Sequence, residues 1–428
     1  MVSGTAPPTF DWAQGRWVRP GAGPARASLV IAGDWAPIRA FGPRVAADPE
    51  AVYGDLLPVL REASLRMVNL ECPLTALDRP VFKSGSVLKG GPEHLRGLTA
   101  VPFELATLAN NHVFDHGLEA FRETLDLLAT AGIRTVGAGL TAEAAFRPQV
   151  LDLSLDPGAR MRDPGEGVRV GVVNFGEGED LTGAGPGPGV FGWEPDRVAA
   201  TLADLGVTVD VRVVVFHGGV EYIPFPPPYV VAALRAAAEA GADLVVAHHP
   251  HVPQGVEIHG RTPICYSQGN FLFHQDTPLL HRKTGYLVRA GLDRGGVTDL
   301  EVVPYRIGPQ GLSLLRGQDR DGYLASLRAV SEPLAAPEGV ADAWHGFLRW
   351  VGRDGFRAEV ERILGELAEH PGKGAAMFRN RLTTLQHREQ WQDLLTRIMA
   401  GNLDDAPQWA FDLVDEWQTR PLPGSAQP

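Results

Sequence analysis

Five apolar runs of strand length each end in a short polar motif. Residues 29–32 lead into Gly33-Asp34, 66–68 into Asn69-Leu70-Glu71, and 105–109 into Asn110-Asn111-His112. Residues 211–216 lead into His217, and 244–247 into His248-His249-Pro250-His251. Apolar runs of this length read as buried strands. In an open α/β sheet, ligands bind beyond the carboxyl ends of the strands. Five such ends carrying Asp, Glu, Asn and His therefore read as one metal-centred site.

The chain of 428 residues has room for one large domain or two ordinary ones. Its formal net charge of −12 argues against a nucleic-acid or anionic-membrane partner. No apolar stretch approaches a membrane span, and the start of the chain shows no basic region followed by an apolar one. Cys72 and Cys265 make neither a disulfide framework nor a Cys-rich zinc site. The expected location is cytoplasmic. Oligomeric state is open.

Residues 1–27 are rich in Pro, Gly and Ala and are expected to form an arm. Residues 28–308 alternate strands and amphipathic helices and are expected to be one layered α/β domain. Within them, Leu118, Phe121, Leu125 and Leu128 share a helical face, and Pro227 or Pro228 opens a helix that ends before Gly241. Residues 157–167 form a Pro/Gly loop. Residues 176–193 read as a long structureless loop, either a lid or a passive connection. Residues 309–428 turn helical and carry Trp344, Trp350, Trp391, Trp409 and Trp417. They read as a cap on the sheet or, alternatively, a docking surface.

Asp34, Glu71, Asn111, His217 and His249 offer a mixed oxygen and nitrogen donor set that suits a divalent metal. Such an ion can position an anionic substrate or polarise an oxygen. His112 and His251 are further histidines that can act as acid and base. Asp115, three residues after His112, can orient its imidazole. Lys83 and Lys89, two of the four lysines, can bind a substrate carboxylate. Glu221 either supports His217 or is a surface acid, and Asn270 either caps a turn or lines the site. Cys72 reads as a small buried residue.

The run Leu108-Ala-Asn-Asn-His-Val-Phe-Asp-His-Gly117 resembles the signature of CapA-like proteins, named for poly-γ-glutamate capsule synthesis. So do Asn69-Leu-Glu-Cys-Pro73, His217-Gly-Gly-Val-Glu-Tyr222, His249-Pro-His-Val-Pro-Gln254 and Tyr266-Ser-Gln-Gly-Asn-Phe271. The family is similar to calcineurin-like metallophosphoesterases. The resemblance implies a four-layer αββα sandwich, here with a C-terminal helical extension, and a metal site at the strand ends. In the phosphoesterases the first Asp is followed two places on by a His ligand. Here Asp34 is followed by Trp35 and Ala36. The Asp that bridges two metals there is matched by Glu71, and Val113 stands where an acidic residue usually follows Asn-His.

Three enzymatic readings follow, together with a non-catalytic peptide-binding module. The first is a metal-dependent phosphoesterase, and the second is amide or acyl chemistry in polyglutamate-type synthesis. The third rests on the resemblance to lasso-peptide epimerases of this fold: inversion of a Cα in a ribosomal precursor peptide, at its C-terminal residue. Epimerisation needs an acid and a base on opposite faces of one carbon. His112 with Asp115, and His251 or His217 with Asp34, would form two such pairs. This third reading is the one adopted from sequence. Its cofactor is one or two divalent ions, with Ca, Mn and Zn all open. No organic cofactor is implied, because no dinucleotide or Walker motif is present. Its partner is a peptide with a free carboxylate.

Overall fold

The computed structural model describes residues 10–154 and 167–423. The first sheet has nine strands. Its centre is parallel: Ala27–Ala36, Leu65–Leu70, Leu105–Thr107 and Arg134–Val136, with Asn270–Phe273 also parallel to the first of these. Thr284–Asp293 and Gly296–Ile307 extend it antiparallel. The second sheet has six strands. Thr262–Cys265, Leu244–His248, Val211–His217 and Val168–Gly176 run parallel, between antiparallel edges Val256–His259 and Gln149–Leu153.

Successive side chains on a strand face opposite ways, and here both ways are apolar. Leu29, Ile31, Leu65 and Met67 of the first sheet meet Val213, Val215, Leu244 and Val246 of the second in one buried cluster between the sheets. The alternate residues Val30, Ala32 and Val68 pack outward, against Val45, Leu98 and Phe121. On the far side Val214, Phe216, Val245 and Ala247 pack against Val198, Leu202 and Leu234. The result is the four-layer αββα sandwich expected from the resemblance.

Where the two sheets meet, Asn174 links them. Its Oδ1 accepts from the backbone N–H of Leu108 (3.0 Å) and Ala109 (2.8 Å), at the end of a first-sheet strand. Its own strand, Val168–Gly176, belongs to the second sheet. This side chain brings the carboxyl ends of both sheets to one edge of the molecule.

Two expectations meet differences, and a third is not tested. The N-terminal stretch, described from Phe10, is not free of the sheet. Arg16–Val18 pairs with Gly296–Ile307 and buries Trp17. The stretch 176–193 is not structureless: Glu179–Leu181 forms a 3-10 turn and Gly189–Val190 pairs with Ala138–Gly139. Burial of Phe191 against Phe146 and Phe175 gives these residues a local core. The loop 157–167 lies, except for Gly167, outside the described residues.

The C-terminal region forms the helices Gly317–Ser331, Pro337–Glu369, Pro371–Thr383, Leu385–Ala400 and Gln408–Thr419. Gly352, at φ 64°, breaks the long one. Several of the tryptophans pack or bond inside this region. Trp344 and Trp417 are buried, and the indoles of Trp344 and Trp391 donate to Asp393 and Glu359. Trp409 is the exposed one. Among the described residues, no helix is long and apolar enough to cross a membrane.

The last helix docks through a ring stack. Trp417 lies on His281 with centroids 3.6 Å apart and planes 6° apart. Burial, and then the charge of Arg420, push the His281 imidazole down to about 3. The unfolded chain binds this proton near pH 6.5, and the native chain does so only near 3. Stability from this group is therefore complete above pH 6.5 and is lost as pH falls toward 3, by at most about 1.4 kcal/mol per pH unit. Tryptophan fluorescence and melting temperature across this window should show acid loosening that His281→Phe reduces. An unchanged acid limb in the variant would refute the assignment.

Candidate metal centre

The site begins with a backbone irregularity. The pairing of Ala27–Ala36 with Leu65–Leu70 shifts register between Ala32 and Asp34, which leaves Gly33 as a bulge. A side chain at Gly33 would place its Cβ 2.4 Å from the carbonyl oxygen of Gly269, so only glycine fits. The bulge reverses the alternation of the strand. Trp35 packs into the helix layer and donates to Tyr53 (3.0 Å), while Asp34 turns to the opposite side, where the second sheet ends.

There Asp34 meets His251 (Oδ2 to Nδ1, 3.2 Å) and His248 (Oδ1 to Nδ1, 3.7 Å), and accepts from Asn69 (2.8 Å). Glu71 lies between His217 (3.5 Å) and His251 (3.6 Å). All of these side chains are buried. Burial opposes ionisation of Asp34, but the hydrogen bond and charge of His251 hold its carboxyl below the ordinary value. Burial and the neighbouring Asp34 push Glu71 well above it. Burial and the surrounding histidines push His217 well down. His251 is raised to about 10: burial works against its charge, and Glu71 and Asp34 more than compensate.

A divalent ion fits this donor set. Two triads, Asp34–Glu71–His217 and Glu71–His249–His251, each bring three donor atoms within 4.8 Å of one another, and they share Glu71. Several of the same atoms are otherwise orphaned. Both carboxylate oxygens of Glu71 and Nδ1 of His249 are buried without a hydrogen-bond partner. Native proteins rarely leave such atoms unpaired, and cations held by these triads would give them partners. Backbone strain marks the same place: His249 has φ 101° and His251 φ 57°, values that cost non-glycine residues energy and cluster at functional sites.

His251 of the centre also lines a cavity of about 450 Å³, together with Asn111, His112, Glu221 and Tyr222. His112 Nδ1 lies 2.6 Å from Asp115 Oδ2, which leaves Nε2 for a ligand. Burial, and then Lys83, lower the His112 imidazole against the pull of Asp115. Asn111 links two groups: its Oδ1 is 3.1 Å from His217 Nε2, and its amide donates to Glu179 (2.7 Å).

The substrate-binding expectations fare differently. Lys83 is spent on Asp115 (2.9 Å) and the Asn111 carbonyl (2.7 Å). Lys89 is turned away from the cavity toward Leu77 and Asp78, because its own carboxylate partner lies in that loop. Asn270 is fully buried and holds His251 from both ends of its amide, to Nδ1 (2.8 Å) and to the backbone carbonyl (3.2 Å). It thus positions the ring and does not line the cavity. Glu221 lines the cavity wall.

Sequence reasoning missed several residues. Asn69 and His248 sit inside motifs already singled out. Glu179 is one of the acids in the 176–193 stretch. Burial opposes its ionisation, but His249, His387 and Lys83 hold its carboxyl down at about 2. His387 is therefore electrostatically coupled to the site. The C-terminal helices add Gln386, 3.4 Å from His249 Nε2, and Asn380, which donates to Glu179 (3.2 Å) and Asp180 (3.3 Å). Lys373 donates to the carbonyls of Lys83, Ser84 and Gly85. Polar residues on amphipathic helices carry no local signal for such contacts.

Residues 28–275 match the family described as bacterial capsule synthesis protein PGA_cap. The chain belongs to this family. Among PGA_cap relatives, a PGA biosynthesis protein CapA of Bacillus subtilis (strain 168) is 27% identical over 264 residues, 60% of this chain. A capsule biosynthesis protein CapA of Bacillus anthracis is 28% identical over 268 residues, again 60% of this chain. The matches span 65% and 61% of those two proteins. The solved structure of TT1561 of Thermus thermophilus aligns over 64% of this chain and 98% of its own, at TM-score 0.36 and 11% identity. The matched PGA_cap segment ends before the helices that bear Lys373, Asn380 and Gln386.

The shared position of Glu71 yields a direct test. Elemental analysis after dialysis should find divalent metal in the purified chain, and Glu71→Gln should lose it. Calorimetry should show added Zn, Mn or Ca stabilising the wild type, by about 2.7 kcal/mol at a hundredfold excess over Kd, and leaving the variant unmoved. A wild-type chain with no bound metal and no thermal response would sink the metal assignment.

Proposed function

We propose that this chain is a metal-assisted peptide Cα epimerase. One observation carries the reading. Two buried His–Asp pairs, His112 with Asp115 at 2.6 Å and His251 with Asp34 at 3.2 Å, both present their histidine to the same cavity. In each pair Nδ1 faces the carboxylate, so Nε2 is the nitrogen that would exchange a proton with substrate; that of His251 also lies 3.6 Å from Glu71 Oε1. One histidine takes the Cα proton and the other returns a proton to the opposite face. No bond to a heavy atom breaks, and the proton count is unchanged over the cycle. Asp34, Glu71 and His217 would hold a divalent ion, which would supply positive charge to polarise a carbonyl or carboxylate oxygen of the substrate. That triad needs no donor from His251, which is thereby free to act as acid or base. The surrounding burial excludes bulk water from the reacting carbon.

Relatives named for the synthesis of an amino-acid polymer support a peptide-like substrate. The resemblance to lasso-peptide epimerases extends this to a ribosomal precursor handled in the cytoplasm, reacting at its C-terminal residue. A second reading, phosphoester or amide hydrolysis, is favoured by one feature: Glu71 is shared between two ligand triads, as a bridging carboxylate is in a dinuclear hydrolase.

The test is deuterium uptake. Metal-loaded enzyme is incubated in heavy water with a pool of synthetic peptides carrying free C-termini, and the products are read by mass spectrometry and chiral analysis. One deuterium at an inverted Cα is expected. His112→Gln and His251→Gln should each slow inversion by about 10²–10⁴-fold, one blocking exchange from the L-peptide and the other from the D-peptide. Turnover of bis-p-nitrophenyl phosphate without Cα exchange would replace this reading with the hydrolytic one.

A further inference from the structure

With Lys83 paired and Lys89 turned away, the cavity needs another cation if it is to hold an anion. Arg282 lines the cavity and is only partly exposed. Its guanidinium carbon sits 3.8 Å above the centroid of the Tyr222 ring. Its Nη2 donates to Gln418 Oε1 (3.2 Å), and its Nε is buried without a partner. Glu221 is close enough to influence it but makes no ion pair with it. A guanidinium held this way keeps a fork of donors for a planar anion, and a charge taken partly out of water without a counter-ion is costly.

The surroundings are built to hold Arg282 in place. Gln418 also donates to the Tyr222 carbonyl (2.8 Å), which fixes Tyr222 in a left-handed backbone conformation at φ 65°. Gln275 donates to the Tyr222 hydroxyl (3.2 Å). The other neighbour of the Tyr222 ring is His251, with centroids 5.9 Å apart. Tyr222 therefore connects the guanidinium to one of the two proton-transfer histidines. Arg39, exposed on the same cavity, adds a second positive charge, while Asp276 and Glu221 set an acidic rim that a second anion on the ligand would meet.

We propose that Arg282, stacked on Tyr222 and held by Gln418, is the anchor for the free C-terminal carboxylate of a peptide bound in this cavity. The inference rests on the peptide reading above and adds where its carboxylate binds. Gln418 is a positioning residue, supplied by a helix outside the segment that matches the family.

The test reads the anchor without catalysis. The ¹⁵N-labelled full chain is titrated with N-acetylglycylglycine, with its C-terminal amide and with inorganic phosphate. The Arg282 Nε–H resonance is followed, assigned with Arg282→Lys. A saturable shift with the acid and none with the amide is expected. Arg282→Lys should weaken binding of the acid at least about tenfold. Gln418→Ala should weaken the acid by a similar factor at unchanged melting temperature, and leave the amide unaffected. Equal shifts with acid and amide, or none with either, would overturn the anchor. A larger response to phosphate would overturn the carboxylate assignment in favour of a phosphoester ligand. Failure of Cα exchange with this shift intact would count against epimerisation alone. Equal exchange in free and amidated peptides would count against the anchor alone.

Discussion

The central constraint is the burial of two carboxylates, Asp34 and Glu71, at one point between the sheet ends. Removing an ion from water costs several kcal/mol even after relaxation, and two like charges side by side cost more. The molecule meets this with four histidines, with Asn69 and Asn270 as fixed partners, and with a donor set complete only when a cation is present. The left-handed backbones of His249 and His251 follow from the same demand, because those rings must reach back over the end of their own strand.

Two features of the sandwich make that point available. Parallel strands in both sheets put all the polar motifs at carboxyl ends, and Asn174 ties the ends of the two sheets together. The Gly33 bulge then turns Asp34 toward the second sheet. Without it, the alternation of the strand would send this carboxylate into the helix layer beside Val30 and Ala32.

The helical extension is more than a cover. Lys373 gathers the carbonyls of the 83–85 turn, Asn380 and Gln386 reach the acids and histidines of the centre, and Gln418 holds the Tyr222–Arg282 pair. The segment typical of the family supplies the donors. The extension shapes what surrounds them, which is where differences in substrate between relatives would arise.

Much of this was legible before any coordinates. Apolar runs buried on two faces and ending in Asp, Glu, Asn and His identify the strands, their layering and the edge that carries the centre, because strand period and burial are local properties. The His112–Asp115 contact was also legible, since three residues of one turn fix it. Side-chain direction was not. Lys83 and Lys89 look alike in sequence, and only the fold gives one to Asp115 and the other to Asp78. Asn270 left two roles open, and its burial beneath His251 chose a third. The tryptophans could have marked a docking face, but the indoles of Trp344, Trp350 and Trp391 find acids within the extension and Trp417 stacks on His281. The sequence by itself determined the layered α/β class, the polar motifs and their place at strand ends. Only the tertiary structure decided which carboxylates face each other, which cations remain unpaired, and that residues a hundred positions beyond the last motif close the site. Those outcomes depend on long-range packing and on a single bulge, neither of which leaves a periodic trace in the chain.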